Sequence, residues 1–188
     1  QGLRRLAIMA ERCRDMGTGL ITLCTGTRDA DDQWRHHPDN SSKQAWADLV
    51  AGMEKALAIA EQQDVQLGVE PELSNVVSSA ALAARLIKEM QNPRLRIVLD
   101  AANLFEAVSE GEQRRIVSSS VELLAGHIAM AHAKDRAADG SFVAAGQGVL
   151  DYRHYLRTLM AAGFDGPLVI HGLAAGEAAG VADFLRRS

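Results

Sequence analysis

No stretch of this sequence approaches the roughly 18 consecutive apolar residues that a membrane-spanning helix requires, and its first residues lack the charged-then-apolar plan of a secretory signal. A membrane is therefore not an expected partner. Positive charge is also in short supply: 20 Lys and Arg stand against 24 Asp and Glu, a formal net charge of -4. Without a basic field to hold a phosphate backbone, nucleic acid is not expected either. Cysteine is scarce. Cys13 falls in an expected helix and Cys24 in an expected strand, which fits two small core residues in a reducing compartment, the cytoplasm, rather than a disulfide framework. A starting methionine is missing as well, and Gln1 leads at once into the helical pattern Leu3, Leu6, Ala7, Ala10, as expected of part of a longer protein.

What is present is an ordinary globular composition, 47% hydrophobic and 23% charged, read as one domain over residues 1–188. Apolar residues recur at helical spacing in one segment and collapse into a short unbroken run in the next, repeatedly, which is β/α alternation. A helix is expected over 2–16, stopping at Gly17, then a strand from Leu20 to Thr25. Ser41 with Gln44 resembles a capping box ahead of a helix whose one face holds Trp46, Leu49, Val50, Met53, Leu57 and Ala60. A strand from Val65 to Glu70 follows, closed by Pro71, then a helix from about Asn75 to Met90, ended by Asn92 and Pro93. Strand Leu95–Asp100, a helix from about Glu112 to Leu124 and strand His127–His132 come next. After a polar, glycine-bearing stretch to Gly148, Asp151 is expected to cap a helix carrying Tyr152, Tyr155, Leu156 and Leu159, with Gly163 as its left-handed terminator. Strand Leu168–His171 and a helix over about 177–187 complete the pattern.

The strands are near-continuously apolar (Ile97, Val98, Leu99; Leu168, Val169, Ile170), as in a parallel sheet covered on both faces. Two architectures suit this, an open doubly wound sheet or a closed eightfold barrel. Neither glycine fingerprint for a nucleotide, GxGxxG or GxxxxGK[ST], occurs, which removes the main reason to prefer the open sheet. A complete barrel takes about 250 residues, so the expectation is an α/β protein holding part of a (β/α)8 TIM barrel, with roughly three N-terminal units outside the chain.

Four strands end on residues able to bind a metal: Glu70, Asp100, His132 and His171. Parallel barrel strands all finish on one rim, so these four are expected to converge there. Each taken alone also fits a solvated turn or a hydrogen-bonded rim group. Together, four ionisable groups at equivalent places in strands that otherwise exclude charge point to a site. Two carboxylates and two imidazoles suit a divalent manganese, cobalt, iron or zinc ion, and magnesium less naturally.

The segments GVEPELSNVV, IVLDAANLF, AMAHAKDR and GQGVLDYRHYLRTLMAAGFDGPLVIHGL resemble the second half of the xylose-isomerase-like barrel superfamily, the sugar phosphate isomerase/epimerase group. The resemblance implies that the strands are the fourth to eighth of the barrel, with family metal ligands at Glu70, Asp100 and His132 and the last ligand position at His171. It also implies a divalent metal, manganese favoured, and a small sugar-like substrate; the composition is that of a soluble domain, and exposed barrel helices leave a homo-oligomer open. Two positions depart from the common pattern: many relatives have Glu where this chain has His171, and His where it has Asn103. In the family's ketose epimerases the first and last Glu are also the paired acid and base, so His171 keeps a proton-transfer group while changing its charge and reach.

The implied reaction is metal-dependent isomerisation or epimerisation of a small sugar or sugar phosphate through an enediolate. Glu70 would be ligand and base, His171 ligand or opposing acid, and Asp100 and His132 plain ligands. Lys134, two residues beyond His132 and on the same side of a continuing strand, would stabilise negative charge or hold substrate, or else stand as a rim lysine paired with Asp135. Asn103 would orient substrate, or satisfy a turn. In the loop RDADDQWRHHPDN, Trp34 would wall the substrate pocket or staple the loop. His37, before Pro38, reads as structural. Glu72 would reach substrate or stay an exposed carboxylate. Alternatives on the same fold are a dehydratase or other lyase acting on a polyol-derived ketone, a truncated barrel without catalysis, and an abasic-site endonuclease, which would need more ligands and a cationic footprint.

Overall fold

A computed structural model describes residues 2–188, which fall into two compact units, one ending at Ile97 and the other running from Val98 to Ser188. In the first unit, α1 (Gly2–Cys13) is shorter than the expected 2–16, although Gly17, at φ 66°, still makes the left-handed turn out of it. Strand β1 (Leu20–Leu23) leads through a long loop and a 3-10 turn, Pro38–Ser41, into α2 (Lys43–Gln63). The cap of α2 is Ser42, not Ser41. Its hydroxyl accepts from the Ala45 N–H at 3.0 Å, while Ser41 Oγ donates backward to the Pro38 carbonyl. With two adjacent serines, the one whose backbone is extended at the helix entry, Ser42, is the one in capping position.

Strand β2 (Gln66–Val69) and α3 (Ala80–Met90) follow. The helix begins five residues later than Asn75, because Val76 and Val77 are buried in the preceding loop. There the Val76 N–H donates to the Gly26 carbonyl at 2.9 Å and the Val77 N–H to Thr25 Oγ1 at 2.9 Å. Ser79 then caps α3 through the Leu82 N–H. Strand β3 (Leu95–Asp100) begins in this unit. The pairing is parallel, Leu20 beside Gln66 and Leu67 beside Leu95. The core is built from Leu67, Val69 and Ile97 with Leu57, Ala60, Ala83 and Leu86, all buried, each large apolar side chain contributing about 1.5–3 kcal/mol. Of the expected face of α2, Trp46, Met53, Leu57 and Ala60 are buried and Leu49 and Val50 half-buried.

The second unit opens with the last three residues of β3 and a 3-10 turn, Ala101–Asn103. Helix α4 (Glu110–Leu124) is capped by Ser109, and β4 (Ile128–Ala133) follows. A short antiparallel hairpin, β5 (Asp135–Arg136) with β6 (Phe142–Val143), occupies the polar stretch that had no expected strand. Asp151 caps α5 (Tyr152–Ala161), accepting from the His154 N–H at 3.0 Å, and Gly163 at φ 78° ends it, both as expected. Strand β7 (Leu168–Ile170) runs parallel to β4, His132 beside Val169 and Ala133 beside Ile170. A 3-10 turn, Ala175–Glu177, and α6 (Ala178–Arg187) complete the unit.

Two expectations about burial need correcting. Val169 is 36% exposed, with Leu168 and Ile170 half-buried, because β7 lies at a sheet edge beside β4 alone, so full coverage on both faces holds for β3 and not for β7. Cys13 is buried as expected, but Cys24 is exposed, since β1 has ended at Leu23.

Candidate metal centre

The second unit gathers two strand-end imidazoles and one lysine around a single carboxylate oxygen of a third strand end. Asp100 ends β3 and is fully buried. Its Oδ1 accepts from the Ala102 N–H at 3.0 Å, capping the 3-10 turn that follows. Its Oδ2 receives His171 Nε2 at 3.0 Å and Lys134 Nζ at 3.0 Å, with His132 Nδ1 at 3.7 Å. Burial pushes the Asp100 carboxyl up, but the nearby His132, the hydrogen-bonded His171 and the Lys134 charge outweigh it and hold it well below the usual carboxylate range.

His132 lies near the end of β4 and His171 immediately after β7. Because Ala133 pairs with Ile170, the two imidazoles leave neighbouring strand ends side by side, ring centroids 4.3 Å apart. Lys134 follows β4, its side chain 8% exposed. Its Nζ donates to Asn103 Oδ1 at 2.7 Å and lies 3.9 Å from the Phe142 ring centroid. The lysine partner foreseen in Asp135 is replaced by Asp100. Asp135 is instead fully buried and gathers four backbone N–H groups, from Arg136, Gly146, Gly148 and Leu150, at 2.8–3.1 Å. Gly148 has to be glycine for that wrapping, since a Cβ there would stand 2.3 Å from the Arg136 carbonyl oxygen.

The strand ends are held from behind by two tyrosines that the sequence presented only as a helix face. Tyr155 is fully buried and its hydroxyl donates to the Leu99 carbonyl at 3.0 Å, one residue before Asp100. The Tyr152 hydroxyl donates to the Lys134 carbonyl at 2.8 Å. Burial pushes both phenols well above their ordinary range, so both stay protonated donors. The signal available in the sequence was a pair of aromatics with polar tips at helical spacing on a core-facing side, each tip needing a partner. Arg136, also unforeseen, is buried, with Nε on the Ala102 carbonyl at 3.0 Å and one terminal nitrogen on the Gly140 carbonyl at 2.6 Å.

As a donor set, Asp100, His132 and His171 offer one ligand atom each, all within 4.8 Å of one another. Bonds of about 2.0–2.2 Å in a tetrahedral site put ligand atoms roughly 3.3–3.6 Å apart, so the widest pair would close by about 1.2 Å to share an ion. An ionised carboxylate with two imidazoles suits borderline divalent metals. The residues fit the ion.

The remaining expected residues lie in the first unit. Glu70 follows β2, half-buried, its N–H donating to the Leu23 carbonyl at 3.0 Å. Glu72 is half-buried, its N–H on the Val77 carbonyl at 3.1 Å. Trp34 is 57% exposed, so its ring is not the staple of its loop. Asn40 is: buried, it accepts from the Arg28 N–H at 2.7 Å and donates to the Ser74 carbonyl at 2.8 Å. His37 is structural, its Nδ1 accepting from the Asp39 N–H at 3.2 Å.

Comparison with known proteins bears on the family and the fold. The family described as xylose isomerase-like TIM barrel matches residues 1–187. The chain belongs to that family, and β1 to β4 and β7 are its parallel α/β barrel strands. No curated protein matched the sequence. Among solved structures it is similar to a xylose isomerase domain protein from Planctomyces limnophilus, with 20% identity and a TM-score of 0.71 over 98% of this chain and 64% of that one. It is similar also to a D-tagatose 3-epimerase-like protein, with 14% identity and a TM-score of 0.78 over 98% of this chain and 67% of that one. A third is a probable 3-DHS dehydratase from Bacillus anthracis, with 15% identity and a TM-score of 0.77 over 98% of this chain and 68% of that one. At such identities the likeness is one of fold, and the chain spans about two thirds of their length. No helix among the described residues is long and apolar enough to cross a membrane.

Proposed function

We propose that the protein is a divalent-metal-dependent isomerase or epimerase of a small sugar or sugar phosphate, working through an enediolate of the substrate. The observation that supports it is the meeting of Asp100, His132 and His171, from three separate strand ends, with ligand atoms within 4.8 Å. In this reading residues 1–188 belong to one barrel domain, strands four to eight, and the protein acts in the cytoplasm, alone or as a homo-oligomer, on a small molecule.

A divalent ion held by these residues would supply Lewis acidity, lowering the pKa of the C–H between a sugar carbonyl and its neighbouring hydroxyl. The chain's own groups divide the rest. Asp100 stays ionised and anchors the set. Lys134, held beside Asp100, brings a positive charge for the oxyanion that develops as the proton leaves. His171, its side chain 35% exposed, is the member of the cluster open enough to pass a proton. The assignment of Glu70 as further ligand and base, and of Asn103, Trp34 and Glu72 as substrate contacts, continues the expectation from sequence. Manganese is the first metal to try.

A dehydratase is the second reading. What favours it is His171 itself, an imidazole where a pair of carboxylates would serve two-sided proton transfer. The test is to load the full chain with manganese or cobalt, measure bound metal by elemental analysis, and analyse products from a panel of ketoses and ketone-bearing polyol derivatives. One ion per chain, abolished by Asp100→Ala, with epimeric or isomeric products supports the first reading. Loss of water supports the second. Absence of metal uptake sinks both and leaves a barrel without catalysis.

A further inference from the structure

The cluster already contains a cation. Lys134 is buried, yet its ammonium is fully accommodated: Asp100 Oδ2 accepts at 3.0 Å, Asn103 Oδ1 at 2.7 Å, and the Phe142 ring lies 3.9 Å away. Its aliphatic stem is fitted as closely. Gly172 faces it at φ 70°, and a Cβ there would stand 3.1 Å from Lys134 Cγ and 3.2 Å from Cδ. The residue after His171 therefore leaves room for the lysine rather than for the imidazole. The oxygen that Lys134 takes, Asp100 Oδ2, is the one His171 also reaches at 3.0 Å and His132 approaches at 3.7 Å, so it faces both other members of the triad that fits a divalent ion. Two of the lysine's three supports, Asn103 and Phe142, are not members of that triad.

We propose that Lys134 is the resident counter-cation of Asp100, competing with the divalent ion for Oδ2. It keeps the fully buried carboxylate compensated while no ion is bound, and it moves off that oxygen when the ion enters. Asn103 and Phe142 retain the displaced ammonium, which then has N–H groups to offer a substrate oxyanion. The inference rests on the proposed metal function and goes beyond it by making the lysine's positive charge a brake on metal affinity. A buried carboxylate that loses its partner is strongly destabilised, and part of that destabilisation becomes binding free energy for any cation that replaces the partner.

The test is isothermal titration of the full chain with manganese or cobalt chloride, wild type against Lys134→Met, a neutral side chain of similar length. The variant is expected to bind the ion roughly tenfold more tightly or better, about 1.4 kcal/mol per factor of ten. Equal or weaker binding by a folded variant, beside measurable binding by the wild type, overturns the inference and leaves the metal function standing. A wild type that binds no ion removes the metal function, and the inference with it. Should Lys134→Met not fold, a crystal structure of the cobalt-loaded wild type decides: Nζ beyond about 4 Å from Asp100 Oδ2 is expected, and a hydrogen bond still under about 3.2 Å refutes the displacement.

Discussion

Replacing Asp100 with alanine should destabilise the metal-free protein mainly through the lysine it abandons. Lys134, 8% exposed, would be left with the Asn103 carbonyl and the Phe142 ring, and an uncompensated buried charge of this kind costs about 3–5 kcal/mol. The Ala102 N–H would also lose its acceptor, adding about 1 kcal/mol. Lys134→Met alone should cost less, about 1–3 kcal/mol, because Asp100 keeps His171 at 3.0 Å and its own capping bond. If the two charges serve chiefly each other, the double variant falls well short of the sum, with a coupling of about 2–3 kcal/mol. Urea unfolding followed by circular dichroism, with chelator present, measures this. At a slope near 2 kcal/mol per molar, Asp100→Ala should lower the midpoint by about 2–3 M. A coupling within about 0.5 kcal/mol of zero would mean that the ion pair is not what balances this carboxylate, and the account of the cluster would be wrong.

Tyr155→Phe removes the donor to the Leu99 carbonyl and should cost about 1–2 kcal/mol in a thermal melt, with weaker metal binding because the end of β3 loses its support; unchanged values in both would deny the tyrosine a positioning role. Asp151→Ala removes the cap of α5 and should cost about 1 kcal/mol at neutral pH. The Asp151 carboxyl is lowered by the His154 N–H, against the opposing effect of burial, and further by Arg114. Its stabilisation is therefore complete above the unfolded value near 3.9 and is lost as pH falls through the lower folded value. The gap between wild type and variant, followed across acid titrations, should close there; a gap that widens toward acid contradicts the assignment. Gly172→Ala forces a left-handed backbone on alanine and a contact on the Lys134 stem; a loss of about 1–2 kcal/mol is expected, or roughly 2–8 °C in melting temperature, and an unshifted melt would remove the glycine from the argument.

Much of the architecture was legible because apolar periodicity answers to a physical constraint that is local. In LRIVLD five of six residues lie buried, and an ionised residue at the end of such a run needs partners supplied from elsewhere. That made Asp100 readable as a candidate site residue. The alternation of helix and strand, the Asp151 cap and the Gly163 terminator were readable for the same reason. The start of α3 was not, since Val76 and Val77 continue a helical pattern while their N–H groups are taken by Gly26 and Thr25, about fifty residues away in the chain. The β5–β6 hairpin was hidden too: strands of two residues have no period, and this one is flanked by the loop wrapped on the Asp135 carboxylate.

The sequence by itself therefore determined the β/α order and which strand ends bear ionisable groups, because periodicity and the exclusion of charge from apolar runs act between near neighbours. Only the tertiary structure decided that Asp100 Oδ2 is shared by His171 and Lys134, that Asn103 serves the lysine, and that two tyrosines on α5 tie down the backbone beside them. Those pairings span from 18 residues, between Lys134 and Tyr152, to 71, between Asp100 and His171. Hydrogen bonds of about 3 Å are set by strand register and helix docking, which no short stretch of sequence encodes.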